Sequence, residues 1–150
     1  MPFGPAFGKK LLTLADDVRV VEAIGRAEQG SRGEVRVHLE RKCVPADPLE
    51  RAREVFEALD MYETAEQTGV LLYVSLEPRI VSVFAGQGIH GAAAPGFWDE
   101  VIDRVAKGFA EGQAAKGLIE ALDEIGKLLR EAVPGEDTHG NELPNTITTS

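Results

Sequence analysis

The chain has 150 residues, of which 43% are hydrophobic and 27% are charged. These proportions are typical of one folded globular domain and exclude an intrinsically disordered chain. Asp and Glu outnumber Lys and Arg by 25 to 16, which gives a net charge of −9. This sign disfavours nucleic acids and anionic membrane surfaces as partners, and it is compatible with a divalent cation or a basic protein.

The cysteine content and the hydropathy of the chain bear on the cellular compartment in which we expect the protein. The one cysteine, Cys43, has no second cysteine with which to form an internal disulfide. That is consistent with a reducing compartment. No apolar stretch is long enough for the core of a signal peptide or for a membrane span. We therefore expect a cytoplasmic protein that does not bind membranes.

The first part of the chain predicts an arm, a helix and a strand. Prolines and glycines dominate residues 1–12, which predicts a flexible N-terminal arm. A pair that resembles a capping box, Thr13 and Asp16, begins a helix that extends to about Glu28. Residues 33–40 then alternate between apolar and polar side chains. This alternation predicts a strand with one face in water, at or near an edge of a sheet.

A second helix and a strand pair follow. Asp47 is a good N-cap and Pro48 is favoured in the first turn, so a helix is predicted from there. Two apolar runs, residues 70–76 and 80–85, are typical of strands covered on both faces. Their connection is too short for a crossover, so they form an antiparallel hairpin. The strand at 33–40 precedes a crossover helix and is therefore expected to be parallel to the next strand.

The second half of the chain predicts two more helices and a tail. One helix extends from Phe97 to about Ala110, and the other contains the apolar positions of residues 118–129. Residues 134–150 are polar and rich in turn-forming types, which predicts a C-terminal tail. We expect one α/β domain at residues 13–133, with helices on both faces of a small mixed sheet. This arrangement is a three-layer α/β/α sandwich.

Known catalytic and cofactor motifs are not recognisable. Residues 86–91 have the glycine spacing of a dinucleotide-binding loop, in which the third glycine begins a helix. Here Pro95 and Gly96 interrupt any such helix within a turn. We therefore expect a flexible turn at this place and no nucleotide cofactor. No motif for a catalytic nucleophile is present either, so the sequence by itself does not assign an enzymatic activity.

Acidic residues recur at every third position from Glu54 to Glu66, and no Lys or Arg occurs between Glu54 and Pro78. A solvated helix face explains this pattern. The alternative is a surface for a metal ion or a cationic partner.

The predicted strand directions bring three connections to one edge of the sheet: residues 28–34, 60–69 and 86–91. Two parallel strands begin at this edge, and the antiparallel strand ends there. We call it the convergent edge. The candidate cation ligands at this edge are Glu28, Glu34, Thr64 and His90, with Ser31, Arg32 and Gln87 beside them.

These residue types permit two kinds of chemistry. Carboxylates, a hydroxyl and glycine-turn carbonyls are the oxygen ligands that hard cations such as Ca²⁺ prefer. The same groups can orient a water molecule against a phosphate, with Arg32 as the clamp for the anion. The structural alternative is that Glu28 and Glu34 cap backbone groups or pair with Arg32.

Several short pieces of the sequence recur together in one known family. In chain order they are Ala27-Glu28, Ser31-Arg32-Gly33-Glu34, Val55-Phe56, Met61, Thr64, Gly69–Val74, Gly88-Ile89, Phe97-Trp98 and Asn141-Glu142-Leu143-Pro144. In the order and spacing of these pieces the chain resembles the TPM domain family, which occurs in bacterial proteins and in a plant thylakoid lumen protein. The resemblance covers roughly residues 12–145.

The resemblance implies an α/β/α sandwich around a mixed sheet. It also implies calcium binding, as in some bacterial members, and phosphatase activity, as described for the plant member. Family members often have an aspartate where this chain has Gln87. The neutral amide weakens the expectation of a cation ligand at that position, and the resemblance transfers no catalytic residue.

We therefore expect a TPM-like domain that binds a divalent cation, calcium first, with phosphate-monoester hydrolysis implied by the family. A phosphate ester or a basic protein is the expected further partner. The alternative is a non-catalytic protein-interaction module that uses its acidic surface or its C-terminal tail.

Overall fold

A computed structural model of the chain describes residues 14–42, 47–59, 61, 67–77, 79–135 and 147–149. The predicted arm and Thr13, as well as Cys43 and Thr64, lie outside these residues. The elements are α1 (Leu14–Glu28), β1 (Glu34–Glu40), α2 (Pro48–Ala58), β2 (Gly69–Leu76), β3 (Arg79–Ala85), α3 (Gln87–His90), α4 (Phe97–Ala110), α5 (Ala114–Ala132) and β4 (Ile147–Thr149).

The strands form one mixed sheet in the order β3-β2-β1-β4. β1 and β2 are parallel, with Glu34 opposite Gly69, and β2 and β3 form the antiparallel hairpin. Both predicted strand directions are therefore confirmed. β4 pairs in parallel with the middle of β1, from Val37 to Leu39. β1 is therefore the second strand from an edge, which agrees with the predicted position at or near an edge.

The helices cover both faces of the sheet. Neighbouring residues of a strand point to opposite faces. Val35 and Leu72 belong to the main core beneath α1, α4 and α5. Leu71 and Tyr73 face the other way and pack with Phe56 of α2 in a smaller core. The predicted α/β/α sandwich is thereby confirmed.

The helix boundaries follow local chemistry. The Asp47 side chain accepts a hydrogen bond of 3.0 Å from the Leu49 amide, and Pro48 is the first residue of α2. α5 is the longest helix of the described residues and buries Leu118, Leu122 and other apolar side chains on one face. None of the helices in the described ranges is both long and apolar enough to cross a membrane.

The described residues of the predicted tail contact the rest of the molecule. Pro134 forms an isolated antiparallel bridge with Ser31, and the Gly135 amide donates to the Gly30 carbonyl at 3.1 Å. Residues 147–149 form β4. The end of α5 and the connection after α1 are therefore joined by backbone hydrogen bonds.

Residues 86–91 form a short helix where the sequence predicts a flexible turn. The side chain of Ile89 is fully buried in the main core, which holds the segment against the sheet. Gly86 is required by close packing, because a Cβ atom there would lie 2.3 Å from the carbonyl oxygen of Gln67.

We predict that Gly86→Ala destabilises the fold by about 1–3 kcal/mol, because backbone must move to accommodate the methyl group. Gly91→Ala is the matched control: Gly91 has a φ of −88° and no atom within 4 Å of an added Cβ. Urea denaturation should therefore find Gly91→Ala within about 1 kcal/mol of the unsubstituted protein. Equal effects of the two substitutions would contradict the steric explanation.

Candidate functional site

Backbone hydrogen bonds join the three segments of the convergent edge. The Glu34 amide donates to the Thr68 carbonyl at 3.3 Å, and the Thr68 hydroxyl donates to the Arg32 carbonyl at 3.0 Å. On the other side, the Gly88 amide donates to the Gln67 carbonyl at 2.9 Å. The described residues therefore meet at one edge of the sheet, as the predicted strand directions require.

Glu28 completes the hydrogen bonding at the start of β1. The Glu34 amide points toward β2, so the next amide, that of Val35, points toward the opposite side. β4 does not reach this position, since its pairing begins at Val37. The Glu28 carboxylate accepts the hydrogen bond of the Val35 amide at 2.8 Å. One half of the structural alternative, a carboxylate that caps a backbone group, therefore applies to Glu28.

Ser31 and Arg32 hold the connection between α1 and β1. The Ser31 hydroxyl donates to the Glu28 carbonyl and accepts from the Gly33 amide, both at 3.2 Å. Nη1 of Arg32 donates to the Pro134 carbonyl at 2.6 Å. The Arg32 guanidinium is thus directed at the residue that follows α5, and it stabilises the junction of the two segments.

Both carboxylates interact electrostatically with Arg36, a residue that the sequence analysis did not select. Arg36 and Glu34 lie two residues apart on one face of β1 and are 5% and 2% exposed. Burial lowers the pKa of the Arg36 guanidinium from its ordinary value, and the charges of Glu28 and Glu34 oppose this change. Nε of Arg36 is buried and has no hydrogen-bond partner among the described residues.

The other candidates from the sequence analysis are Gln87, His90 and Thr64. Gln87 and His90 lie on α3 and are exposed to solvent. Thr64 lies outside the described residues, so its position relative to the carboxylates stays a prediction. Within the described ranges, no three His, Cys, Asp or Glu side chains are grouped so that they could hold a metal ion. A cation at this edge would therefore need backbone, hydroxyl or water oxygens besides Glu28 and Glu34.

The polar face of β1 is buried, contrary to the prediction that it lies in water. We call Glu34, Arg36, His38 and Glu40 the polar strip; each is at most 5% exposed. Glu40 accepts hydrogen bonds from Nε of Arg51 at 2.9 and 3.0 Å and from the fully buried hydroxyl of Tyr73. The carboxylate of Glu40 is the first cause of a raised pKa at Arg51. These partners allow the strip to lie inside the protein.

His38 connects the polar strip to β4. The Thr148 hydroxyl donates to the Val37 carbonyl at 3.3 Å, so Nδ1 of His38 is the donor in its 2.7 Å hydrogen bond to that hydroxyl. The ring stacks on Tyr73 with 6.1 Å between ring centroids. Burial lowers the pKa of His38, and the charges of Arg51 and Arg36 act in the same direction while Glu40 opposes them.

The acidic surface is partly neutralised where the structure describes it. Arg53 pairs with Glu50 and Glu57, and Arg51 pairs with Glu54 at 3.3 Å. These pairs are on the surface of α2, one turn apart, and such pairs contribute little to stability. Residues 62–66, which complete the acidic run, lie outside the described residues.

One residue of the sequence predicts that the polar strip is buried. Tyr73 is the one aromatic residue in an otherwise aliphatic run, and it lies opposite His38 in the sheet. A buried tyrosine needs a partner for its hydroxyl, so its presence indicates polar groups beside it.

We predict that Glu28→Ala lowers the free energy of unfolding by about 1–3 kcal/mol, because the Val35 amide loses its acceptor. Glu28→Gln retains an acceptor oxygen and should lose less than half of that. Glu22→Ala, an exposed change on the same helix, is the control and should be nearly neutral. Chemical denaturation of the variants measures these differences; equal losses for Glu28→Ala and Glu22→Ala would exclude the capping role.

We predict that His38 makes stability depend on pH. Its pKa in the folded state lies below the unfolded value of 6.5, so the unfolded chain takes up the proton first as the pH falls. Stability is therefore full above about pH 6.5 and decreases below it, by at most about 1.4 kcal/mol per pH unit for one proton.

Denaturation at pH 7.5, 6.5 and 5.5 tests this dependence. His38→Asn should lose less stability over this range than the unsubstituted protein. His90→Asn changes an exposed histidine and should keep the full dependence. A His38→Asn variant with an unchanged pH profile would show that another group is responsible.

Comparisons with known proteins agree on the family and the fold. The model of the TPM domain matches residues 8–128. No protein of curated function matches the chain significantly. The solution NMR structure of the BA42 protein from the psychrophilic bacterium Bizionia argentinensis is 34% identical to this chain, with a TM-score of 0.82. The alignment covers 93% of this chain and 95% of that chain.

Two more distant structures show the same fold. The N-terminal domain of a P. gingivalis protein is 19% identical with a TM-score of 0.69, over 83% of this chain and 80% of that one. The N-terminal domain of a Corynebacterium glutamicum protein is 11% identical with a TM-score of 0.61, over 79% and 74%. With most of its length matched by the family model, the chain belongs to the TPM domain family.

Proposed function

We propose that this TPM domain binds a divalent cation, with calcium as the first choice, at the convergent edge. The observation that carries the proposal is that Glu28 and Glu34 both act on the buried guanidinium of Arg36, which brings two carboxylates to one edge of the sheet. Carboxylates that are partly or fully removed from water interact more strongly with a cation than they would in bulk solvent.

The groups at this edge have the right chemistry for calcium. Ca²⁺ takes six to eight oxygen ligands, and backbone carbonyls, hydroxyls and waters contribute beside carboxylates. Glu28 and Glu34 would supply the charged oxygens. The backbone carbonyls of the connection before β1 would supply neutral ones, and Ser31, whose hydroxyl is hydrogen-bonded within that connection, lies beside them. Thr64 and His90 are further candidates from the loops that the strand directions bring to the same edge.

Phosphate-monoester hydrolysis is the second part of the proposal. The name of the matching family model includes phosphatase. A bound divalent cation offsets the negative charge that develops on a phosphoryl group. The planar guanidinium of Arg32 has the geometry to bind phosphoryl oxygens, so Arg32 would bind the phosphate. His90 and Gln87, both exposed on α3, would orient the attacking water.

The single cysteine supports a cytoplasmic setting for this activity. The interaction-module alternative receives less support from α2, because Arg51 and Arg53 pair with its described acidic residues. If no cation binds, the interaction-module hypothesis replaces the proposed function.

The proposal predicts that Ca²⁺ shifts the amide resonances of residues 28–34, 67–69 and 86–91 in isotope-labelled protein. Glu34→Gln and Glu28→Gln should each weaken binding by about tenfold or more, because calcium affinity depends on the number of charged ligands. Glu57→Gln on α2 removes one carboxylate elsewhere and serves as the control. Binding that is unchanged in Glu34→Gln would exclude the assignment of the site.

Hydrolysis is tested on a generic phosphate monoester with and without a calcium chelator. The chelator should abolish turnover, and Arg32→Met should raise KM more than it lowers kcat, because Arg32 is assigned to phosphate binding. His90→Gln should lower kcat. Calcium binding without any turnover would restrict the function to cation binding.

A further inference from the structure

The buried Nε atom of Arg36 is a feature of the convergent edge that needs an explanation. Buried polar nitrogens are nearly always hydrogen-bonded, and an exception requires an explanation. Nε of Arg36 lacks a hydrogen-bond partner among the described residues, although the residue is 95% buried. Placing a charge there is costly unless other charges compensate it.

The positions of Glu34 and Glu28 bring both carboxylates near Arg36. Glu34 is two residues before it on the same face of β1, a separation of about 7 Å along a strand. The Glu28 carboxylate accepts a hydrogen bond of 2.8 Å from the amide of Val35, the residue next to Arg36. This hydrogen bond fixes the carboxylate at the start of β1. Both carboxylates act on the guanidinium. Arg36 therefore compensates a pair of acids, and it does so through space.

We propose that Arg36 is the built-in counter-charge of the convergent edge, and that it limits how tightly the edge binds a divalent cation. This inference rests on the proposed function. Arg36 makes the charge beside the two carboxylates one unit more positive than it would be with a neutral side chain at this position. A divalent cation that arrives near the guanidinium meets repulsion from it, so its affinity is lower than the two carboxylates alone would give.

Arg36 on this proposal sets the affinity for the cation and is not a catalytic residue. It also makes cation binding less dependent on ionic strength, because salt screens its repulsion of the cation as well as the attraction by the carboxylates.

The experiment compares calcium affinity in four full-length proteins by titration calorimetry at low ionic strength: the unsubstituted chain, Arg36→Met, Arg36→Lys and Arg79→Met. Arg79 is exposed and lies at the hairpin end of the sheet, away from the convergent edge. It therefore controls for the change in net charge.

Arg36→Met should bind calcium roughly tenfold more tightly than the unsubstituted chain, since a repulsive charge beside the carboxylates is removed. Arg36→Lys retains the charge and should bind like the unsubstituted chain, as should Arg79→Met. Calcium should also raise the thermal midpoint of Arg36→Met more than that of the others.

The outcomes separate the two proposals. If the unsubstituted chain binds calcium and Arg36→Met binds equally or more weakly, Arg36 is not a counter-charge and the proposed function stands. If none of the four proteins binds calcium, the proposed function fails. If Arg36→Met binds and the unsubstituted chain does not, the counter-charge role is supported and cation binding by the native chain is not.

A measurement on the unsubstituted chain covers the case in which Arg36→Met does not fold. In nitrogen-15-labelled protein, the Nε–Hε resonance of Arg36 should shift in step with calcium binding, while that of Arg79 stays in place. If calcium saturates the backbone shifts while the Arg36 resonance does not move, the inference is wrong.

Discussion

Strand β1 has to satisfy its hydrogen bonds in the interior of the sheet while it carries four polar or ionisable side chains on one face. Each solution to this constraint ties another part of the molecule to the strand. The last residue of α1, Glu28, holds the Val35 amide at the place that β4 does not reach. α2 contributes Arg51 to Glu40, and β4 contributes Thr148 to His38. Because unsatisfied buried polar groups are costly, these contacts fix α1, α2 and β4 around β1.

Most of the architecture could be predicted from periodicity and connection lengths. The short link between β2 and β3 allows only an antiparallel pair, and the helix after β1 requires a parallel one. The burial of the polar face of β1 could not be predicted. Alternating polar residues usually indicate water, but here Arg51 and Tyr73 come from distant parts of the chain to cover them. β4 has only three residues in a polar segment, too few for a periodic signal. Similarly, one buried side chain, Ile89, orders a glycine-rich segment.

The candidate site was predictable in its location but not in its charges. Strand directions were sufficient to bring the three connections together. The sequence analysis named pairing with Arg32 as one half of the structural alternative, and the Arg32 guanidinium donates to the Pro134 carbonyl across the junction with α5. It did not name Arg36, on which both acids act. Arg36 shares a face of β1 with Glu34, because residues two apart on a strand point the same way.

Membership of the TPM domain family does not by itself determine whether this chain binds a cation. On the proposed function, the affinity depends on the charges at one edge of the sheet. Gln87 contributes no charge there, and Arg36 contributes one of the wrong sign for a cation. Glu28 has in addition a structural task, because its carboxylate holds the first part of β1. On the proposed function, the same carboxylate would therefore join the end of α1, the start of β1 and the cation. Binding at such a group stabilises the folded state by mass action, so cation affinity and the stability of this edge are thermodynamically linked.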